Sequence, residues 1–286
     1  MLRLKISHFT KYEYEKEVSL SPHNLFLIPQ IQSHQRLIES DLSIIPVPDG
    51  QTIRTDLFGN KYSQIWFSEF LDSLSIQNEI TIESEEFNPF NFLIDPEFES
   101  KTEGVGIPAF TYSEEEDTFL RPFIRKEDSP LYINEVLDIY ANTQNLLDFL
   151  VKLTSRIYQG WTHVIREEEN IWTPEFTFSK REGSCRDLAN LQMHTLGMLG
   201  LATRFVSGYA FNPKIEAGHE LHAWLEVYVP GASWIGLDPS LGLLVGNNYV
   251  PLAFHADPIK TLPVQGSFFG EAKSKLTTEV RIEEIS

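Results

Sequence analysis

The sequence predicts an α+β protein: an N-terminal antiparallel β-sandwich, then a core in which helices pack on a second antiparallel sheet. Three observations predict it. Apolar residues alternate through the first 85 or so positions, recur at helical spacing between 133 and 200, and alternate again from 202 to 237. With 286 residues the chain has room for one large domain or two ordinary ones. Hydrophobic residues make up 42% and charged residues 22%, the balance of a chain able to bury a core.

Near the N-terminus Leu2, Leu4 and Ile6 alternate, as do Leu74, Ile76, Ile80 and Ile82 across a short interruption. Residues 53–57 and 62–67 flank Phe58-Gly59-Asn60-Lys61. Gly and Asn tolerate positive φ, so this stretch reads as a hairpin. Pro22, Pro29, Pro46 and Pro48 mark strand ends or edges. From Asn88 to Pro130 the periodicity dissolves among turn signals such as Asn88-Pro89 and Gly106-Ile107-Pro108, which predicts an irregular connection with room for a short helix. The organisation that follows is a sandwich over 1–87, a connection over 88–130 and a core over 131–286 that includes a C-terminal strand.

Within the core, one helix is expected over 133–140 and another from Asn142-Thr143 to Gly160. Residues 161–180 read mostly as loop. A further helix starts after Ser184, with Leu188, Leu191, Gln192, Leu196 and Leu199 along one side and Gly200 as its stop. Strands are expected at 202–209, 222–229 and 233–237, and a late one at 276–282.

Lys and Arg total 23 against 41 Asp and Glu, a formal charge of −18. Such a surface repels phosphate backbones and anionic lipid, so nucleic acid and membrane are poor partners. The acidic runs Glu85-Glu86, Glu114 to Asp117 and Glu167 to Glu169 lack the alternating ligands of a calcium loop and read as solvated loops. No apolar run approaches the roughly 20 residues of a membrane-spanning helix. The opening residues lack the basic-then-apolar layout of a secretory leader, which predicts a cytoplasmic address. The single cysteine allows no intrachain disulfide, in keeping with a reducing compartment.

A lone cysteine is most often a small buried apolar residue; its neighbours argue otherwise. In Gly183-Ser184-Cys185-Arg186-Asp187 the cysteine falls in the first helical turn, where unpaired N–H groups and the helix dipole favour a thiolate. Arg186 adds positive charge, and Asp187 reads as a structural partner of the helix-terminal donors. His222 opens an alternating strand, and Asp238 ends the next one beyond the turn at Pro230-Gly231. Antiparallel pairing brings these two together. The three then read as nucleophile, acid–base and orienting carboxylate.

These segments, with Arg204 to Tyr209, His222-Ala223-Trp224 and Trp234 to Pro239, resemble the bacterial transglutaminase-like superfamily of cysteine proteases. The N-terminal β region is similar to the domain that precedes the core in its bacterial members. The resemblance implies a papain/transglutaminase-like core, with the cysteine's helix on an antiparallel sheet, and a catalytic triad of Cys185, His222 and Asp238 without cofactor or metal. Arg186 stands where many members carry Gln, and Trp161 is weighed as a second oxyanion donor against a plain core role. The implied chemistry is acyl transfer from a peptide or protein amide through a thioester. Hydrolysis is preferred to amine transfer because water always competes. Two other classes stay open: a non-catalytic scaffold, and a metal enzyme using His219 and His222, whose His-Glu-Leu-His order is not the zinc-protease pattern. Oligomeric state is not legible.

Overall fold

A computed structural model describes residues 1–98, 110–125, 133–166, 168, 170–213 and 221–285. The expected α+β architecture is present. The first strand, β1 (Leu2–Leu20), is followed by β2 (His23–Leu25), β3 (Gln35–Ile45), β4 (Gly50–Thr55), β5 (Lys61–Trp66) and β6 (Leu71–Ser84). Strand β1 pairs antiparallel with β6, and β6 with β3. The alternation of Leu74, Ile76, Ile80 and Ile82 is continuous after all. The interrupting position, Asn78, is also buried on that face and donates to the Leu27 carbonyl at 2.8 Å. A satisfied amide is tolerated in an apolar layer, and here it ties the sheet to the chain leaving β2.

Strands β4 and β5 form the expected hairpin, with Thr55 opposite Lys61. Gly59 takes φ +86°, and the Asp56 carboxylate accepts from the N–H groups of Phe58 and Asn60. Leu4, Ile6, Leu25, Ile65, Leu74 and Ile76 belong to one buried cluster between the two sheets.

Helix α1 (Glu114–Leu120) lies in the segment read as irregular. The acidic run expected as loop forms its first turn, where the positive end of the helix favours carboxylates. Ser113 and Glu116 cap it reciprocally. Helix α2 (Ile133–Ala141) is where expected, but α3 (Leu146–Gly160) starts later than predicted, because Asn145 rather than Asn142 or Thr143 caps it. After β7 (Thr162–His163) comes a helix that the sequence reading missed, α4 (Pro174–Lys180), with Thr173 as cap and Pro174 in the first turn. The sequence reads as loop here; Phe176 and Phe178 alternate and so lack helical spacing. Then follow β8 (Glu182–Gly183), α5 (Cys185–Met198), β9 (Thr203–Ala210), β10 (His222–Val229), β11 (Ser233–Asp238), β12 (Leu243–Leu244) and β13 (Tyr249–His255).

The core sheet runs β12-β11-β10-β9-β13. One face carries Ala223, Leu225 and Val227 against Leu188, Leu191 and Leu196 of α5. Gly200, at φ +79°, ends the turn that follows α5. Strand β13 would leave a bare edge, but the N-terminal region covers it. Gln30 N–H and Gln35 Nε2 donate to the Pro251 and Tyr249 carbonyls at 2.8 and 2.7 Å, and Asn60 exchanges two bonds with Phe254 at 2.8 Å each.

The chain ends with β14 (Val264–Gln265), β15 (Phe268–Phe269) and β16 (Ser274–Glu284). The last of these, grouped with the core by its place in the sequence, pairs instead with β1, from Leu4 opposite Glu284 to Tyr14 opposite Ser274. The terminal strand therefore completes the first sheet.

Candidate active site

Cys185 opens α5, and its position is set by a buried carboxylate. Asp187 reaches back one turn to accept the Ser184 N–H at 2.9 Å and its hydroxyl at 2.7 Å. It also accepts Arg166 Nη1 on both oxygens, at 2.9 and 2.8 Å, and the Trp172 N–H at 2.8 Å. Asp187 is fully buried and Arg166 nearly so, its guanidinium lying 4.1 Å from the Trp172 ring centre. Asp187 thus has the structural place expected of it. Gly183 is needed for close approach: a Cβ there would sit 2.9 Å from Asp187 Cβ and 3.2 Å from Thr177 Cγ2.

Cys185 is half-buried, and two imidazoles act on its thiol, those of His163 and His222. Burial pushes the thiol up. The hydrogen bonds from His163 and His222, and the charge on both rings, outweigh burial and bring it from its ordinary 9.0 down to about 6.

His222 is the first residue of β10 and Asp238 the last of β11. The register, Leu225 opposite Leu237, carries them to the same end of the sheet, with Nε2 of His222 2.7 Å from Oδ2 of Asp238. With Nε2 so engaged, Nδ1 is the nitrogen left to face the sulfur. Burial would push the ring down, but the Asp238 charge and hydrogen bond, aided by Cys185, hold it well above 6.5. Asp238 is itself fully buried and saturated with donors. Oδ1 accepts the Ser240 N–H and hydroxyl at 2.9 and 2.7 Å and the Leu241 N–H at 3.2 Å, and Oδ2 also accepts the Tyr249 hydroxyl at 2.8 Å. Burial raises this carboxyl, and His222, Ser240 and Tyr249 more than reverse that.

The support extends outward. Trp224 lies near-parallel to the His222 ring, with centroids 6.3 Å apart, and meets Tyr249 edge-on at 5.2 Å. Opposite His222 on β9 is Gly208, where a Cβ would fall 2.3 Å from the Val250 carbonyl and 2.7 Å from Trp224. The Gln35 bond to the Tyr249 backbone brings the N-terminal region within two residues' contact of Asp238.

Some expected roles do not hold. The Arg186 guanidinium does not add charge at the sulfur. It donates to the Arg166 and Glu168 carbonyls at 3.2 and 2.7 Å, fastening the loop before α4. Trp161 is buried with its indole N–H on the Thr177 carbonyl at 3.0 Å, so it is a core residue and not an oxyanion donor. His219 lies outside the described residues. His222 is bound through Nε2 to Asp238, and among the described residues no cluster of three or more His, Cys, Asp or Glu is arranged to hold a metal. His163 was not foreseen. It stands 185 − 163 = 22 residues before the cysteine, and no local pattern marks it.

Residues 136–239 match the transglutaminase-like superfamily and residues 4–83 the bacterial transglutaminase-like N-terminal region. Residues 136–239 are thus a transglutaminase-like core. The core match runs through Cys185 and His222 and ends one residue beyond Asp238. An uncharacterised protein of Mycobacterium tuberculosis is 25% identical over 291 residues, with 96% of this chain and 90% of that protein covered. A solved structure of a proposed cysteine protease from Cytophaga hutchinsonii has the same fold, with TM-score 0.73 and 19% identity over all of this chain and 91% of its own. A protein-glutamine gamma-glutamyltransferase of Pseudomonas aeruginosa is 32% identical over 73 residues, 23% of this chain and 11% of that protein.

Proposed function

We propose that this protein is an acyl-transfer enzyme that opens carboxamide or peptide bonds through a thioester on Cys185. The observation that carries the proposal is the His222–Asp238 pair, Nε2 to Oδ2 at 2.7 Å, held at the end of the sheet in the same core as a cysteine that opens a helix. A thiol that ionises near 6 beside an imidazole held well above 6.5 exists at neutral pH as a thiolate–imidazolium pair. The thiolate attacks the carbonyl carbon and forms the S–C bond. The Cys185 N–H, free at the start of the helix, is placed to receive the oxyanion. As the C–N bond breaks, the imidazolium proton goes to the departing amine. Water then forms a C–O bond, its proton returns to His222, and the sulfur leaves with its electron pair.

Hydrolysis is the preferred outcome because Cys185 is only half-buried, so water competes for the thioester unless something shields it. Amine transfer is the second reading, favoured by the partial match to the Pseudomonas glutamyltransferase. The substrate class is a peptide or protein amide. Mass spectrometry of the enzyme after mixing with a peptide library tests this reading. A thioester adduct on Cys185 that is absent from His222→Ala is expected, decaying to free acid. Products carrying an added primary amine would transfer the assignment to amine transfer. No adduct, with alkylation as slow as that of free cysteine, would overturn the catalytic reading in favour of a scaffold.

A further inference from the structure

His163 is brought beside the start of α5 by β7 and has no task in the scheme above. Its placement is a matter of backbone geometry. Strand β7 pairs parallel with β8, His163 opposite Gly183, with flanking bonds from Thr162 N–H to the Arg181 carbonyl at 2.8 Å and from Val164 N–H to the Gly183 carbonyl at 3.0 Å. Gly183 precedes the cysteine by two residues, so this short ladder sets the imidazole beside the amino end of α5. The residue is exposed, whereas the His222 side chain is largely covered.

The charged groups on the elements around it are otherwise engaged. Glu182 faces Lys180, Arg181 faces Glu135, Arg166 is bound to Asp187, and Arg186 holds loop carbonyls. His222 has its own carboxylate. The group on which the His163 ring acts is the Cys185 thiol.

We propose that His163 is a second catalytic imidazole, one that donates a hydrogen bond to the Cys185 thiolate from the solvent-exposed side of the cleft. This deepens the acyl-transfer reading and rests on it. The bond serves at both ends of the cycle. Before attack it keeps the sulfur ionised independently of His222, whose proton is destined for the amine. At deacylation the S–C bond breaks and its electron pair returns to sulfur. A donor waiting there favours expulsion of the thiolate, since a more stabilised thiolate leaves faster. A purely structural residue on β7 would do neither.

The test is the pH dependence of iodoacetamide alkylation of the full chain, as native protein, His163→Ala, His163→Gln and His222→Ala. The native rate is expected to rise with a midpoint near 6. In His163→Ala the midpoint moves up by at least one unit, lowering the rate near pH 6 by about fivefold or more. Above about pH 9, where any thiol ionises, the rate is retained. Glutamine, a neutral donor, restores part of the shift. A native profile in His163→Ala overturns the proposal. A native midpoint of about 9, unmoved in His222→Ala, overturns the acyl-transfer reading itself, so the two failures are distinct. If His163→Ala melts lower than native, His163→Gln alone decides: retained folding with a native midpoint in that variant also refutes the role.

Discussion

Asp187→Ala is expected to cost the protein about 3 to 5 kcal/mol, the usual loss when one partner of a buried ion pair is removed. The substitution strips an acceptor from Arg166, from the N–H of Trp172, and from the N–H and hydroxyl of Ser184. The guanidinium keeps Asn170 at 2.6 Å and Glu168 at 3.6 Å, but its side chain is only 7% exposed, so water cannot readily replace the lost carboxylate. At roughly 2.1 cal/mol/K of unfolding entropy per residue, 286 residues give about 0.6 kcal/mol/K, and the loss corresponds to a fall of about 5 to 8 °C in melting temperature. Asp187→Asn keeps one carbonyl acceptor and should fall between. Arg166→Met, which leaves the carboxylate its three other donors, should lie at the low end. Calorimetry or circular-dichroism melting checks the series. A shift in Asp187→Ala of less than about 2 °C would refute the reasoning, because it would mean that the pair contributes no net stability where it is least solvated.

The pH–rate profile for amide cleavage should be bell-shaped. Activity rises as the thiol ionises through about 6 and falls when His222 loses its proton well above 6.5, both limbs being properties of the coupled pair. A flat profile between about pH 5 and pH 9 would contradict it. Tyr249→Phe removes one donor from the buried Asp238 carboxylate, a bond to a charged group worth about 1.5 to 3 kcal/mol; urea titration showing no loss would mean that the hydroxyl is idle. Gly208→Ala drives a methyl into the Val250 carbonyl and Trp224, both too close to accommodate it. It should depress the melting temperature and slow alkylation of Cys185 together, and a native-like variant would show that β9 and β13 can part locally.

Most of the frame was legible because each element of it is local. The alternation of Leu2, Leu4 and Ile6, the Gly59 hairpin and the apolar stripe of α5 all report burial through neighbours in sequence. The positions of Cys185, His222 and Asp238 were legible for a related reason. A helix start, a strand start and a strand end are each marked by their own residues, and one antiparallel turn links the last two. Legibility failed where the decisive contact was distant. The tail strand reads as β, but nothing in residues 274–284 says that its partner is β1. Helix α4 was hidden by Phe176 and Phe178, whose spacing of two imitates a strand even though Thr173 and Pro174 carry a helix-start signal. His163 depended on a parallel bridge of two residues, too short to leave any pattern.

That failure also explains how the protein holds its cleft. Cys185 is fixed from the core, through Asp187, Arg166 and the loop that Arg186 fastens. His222 is fixed from behind, through Asp238 and Tyr249, and the Tyr249 backbone is held by Gln35 of the N-terminal region. Residues of that region also cover the edge of β13, while the chain's last strand lies on β1. An error in docking the two parts would therefore be felt at Asp238 before it reached Cys185. Gln35 is buried and its amide spans that junction at 2.7 Å, so loosening it should disturb His222 while leaving the amino end of α5 in place. The N-terminal sheet is then joined to the His222 ring by an unbroken path of contacts through Gln35, Tyr249 and Asp238.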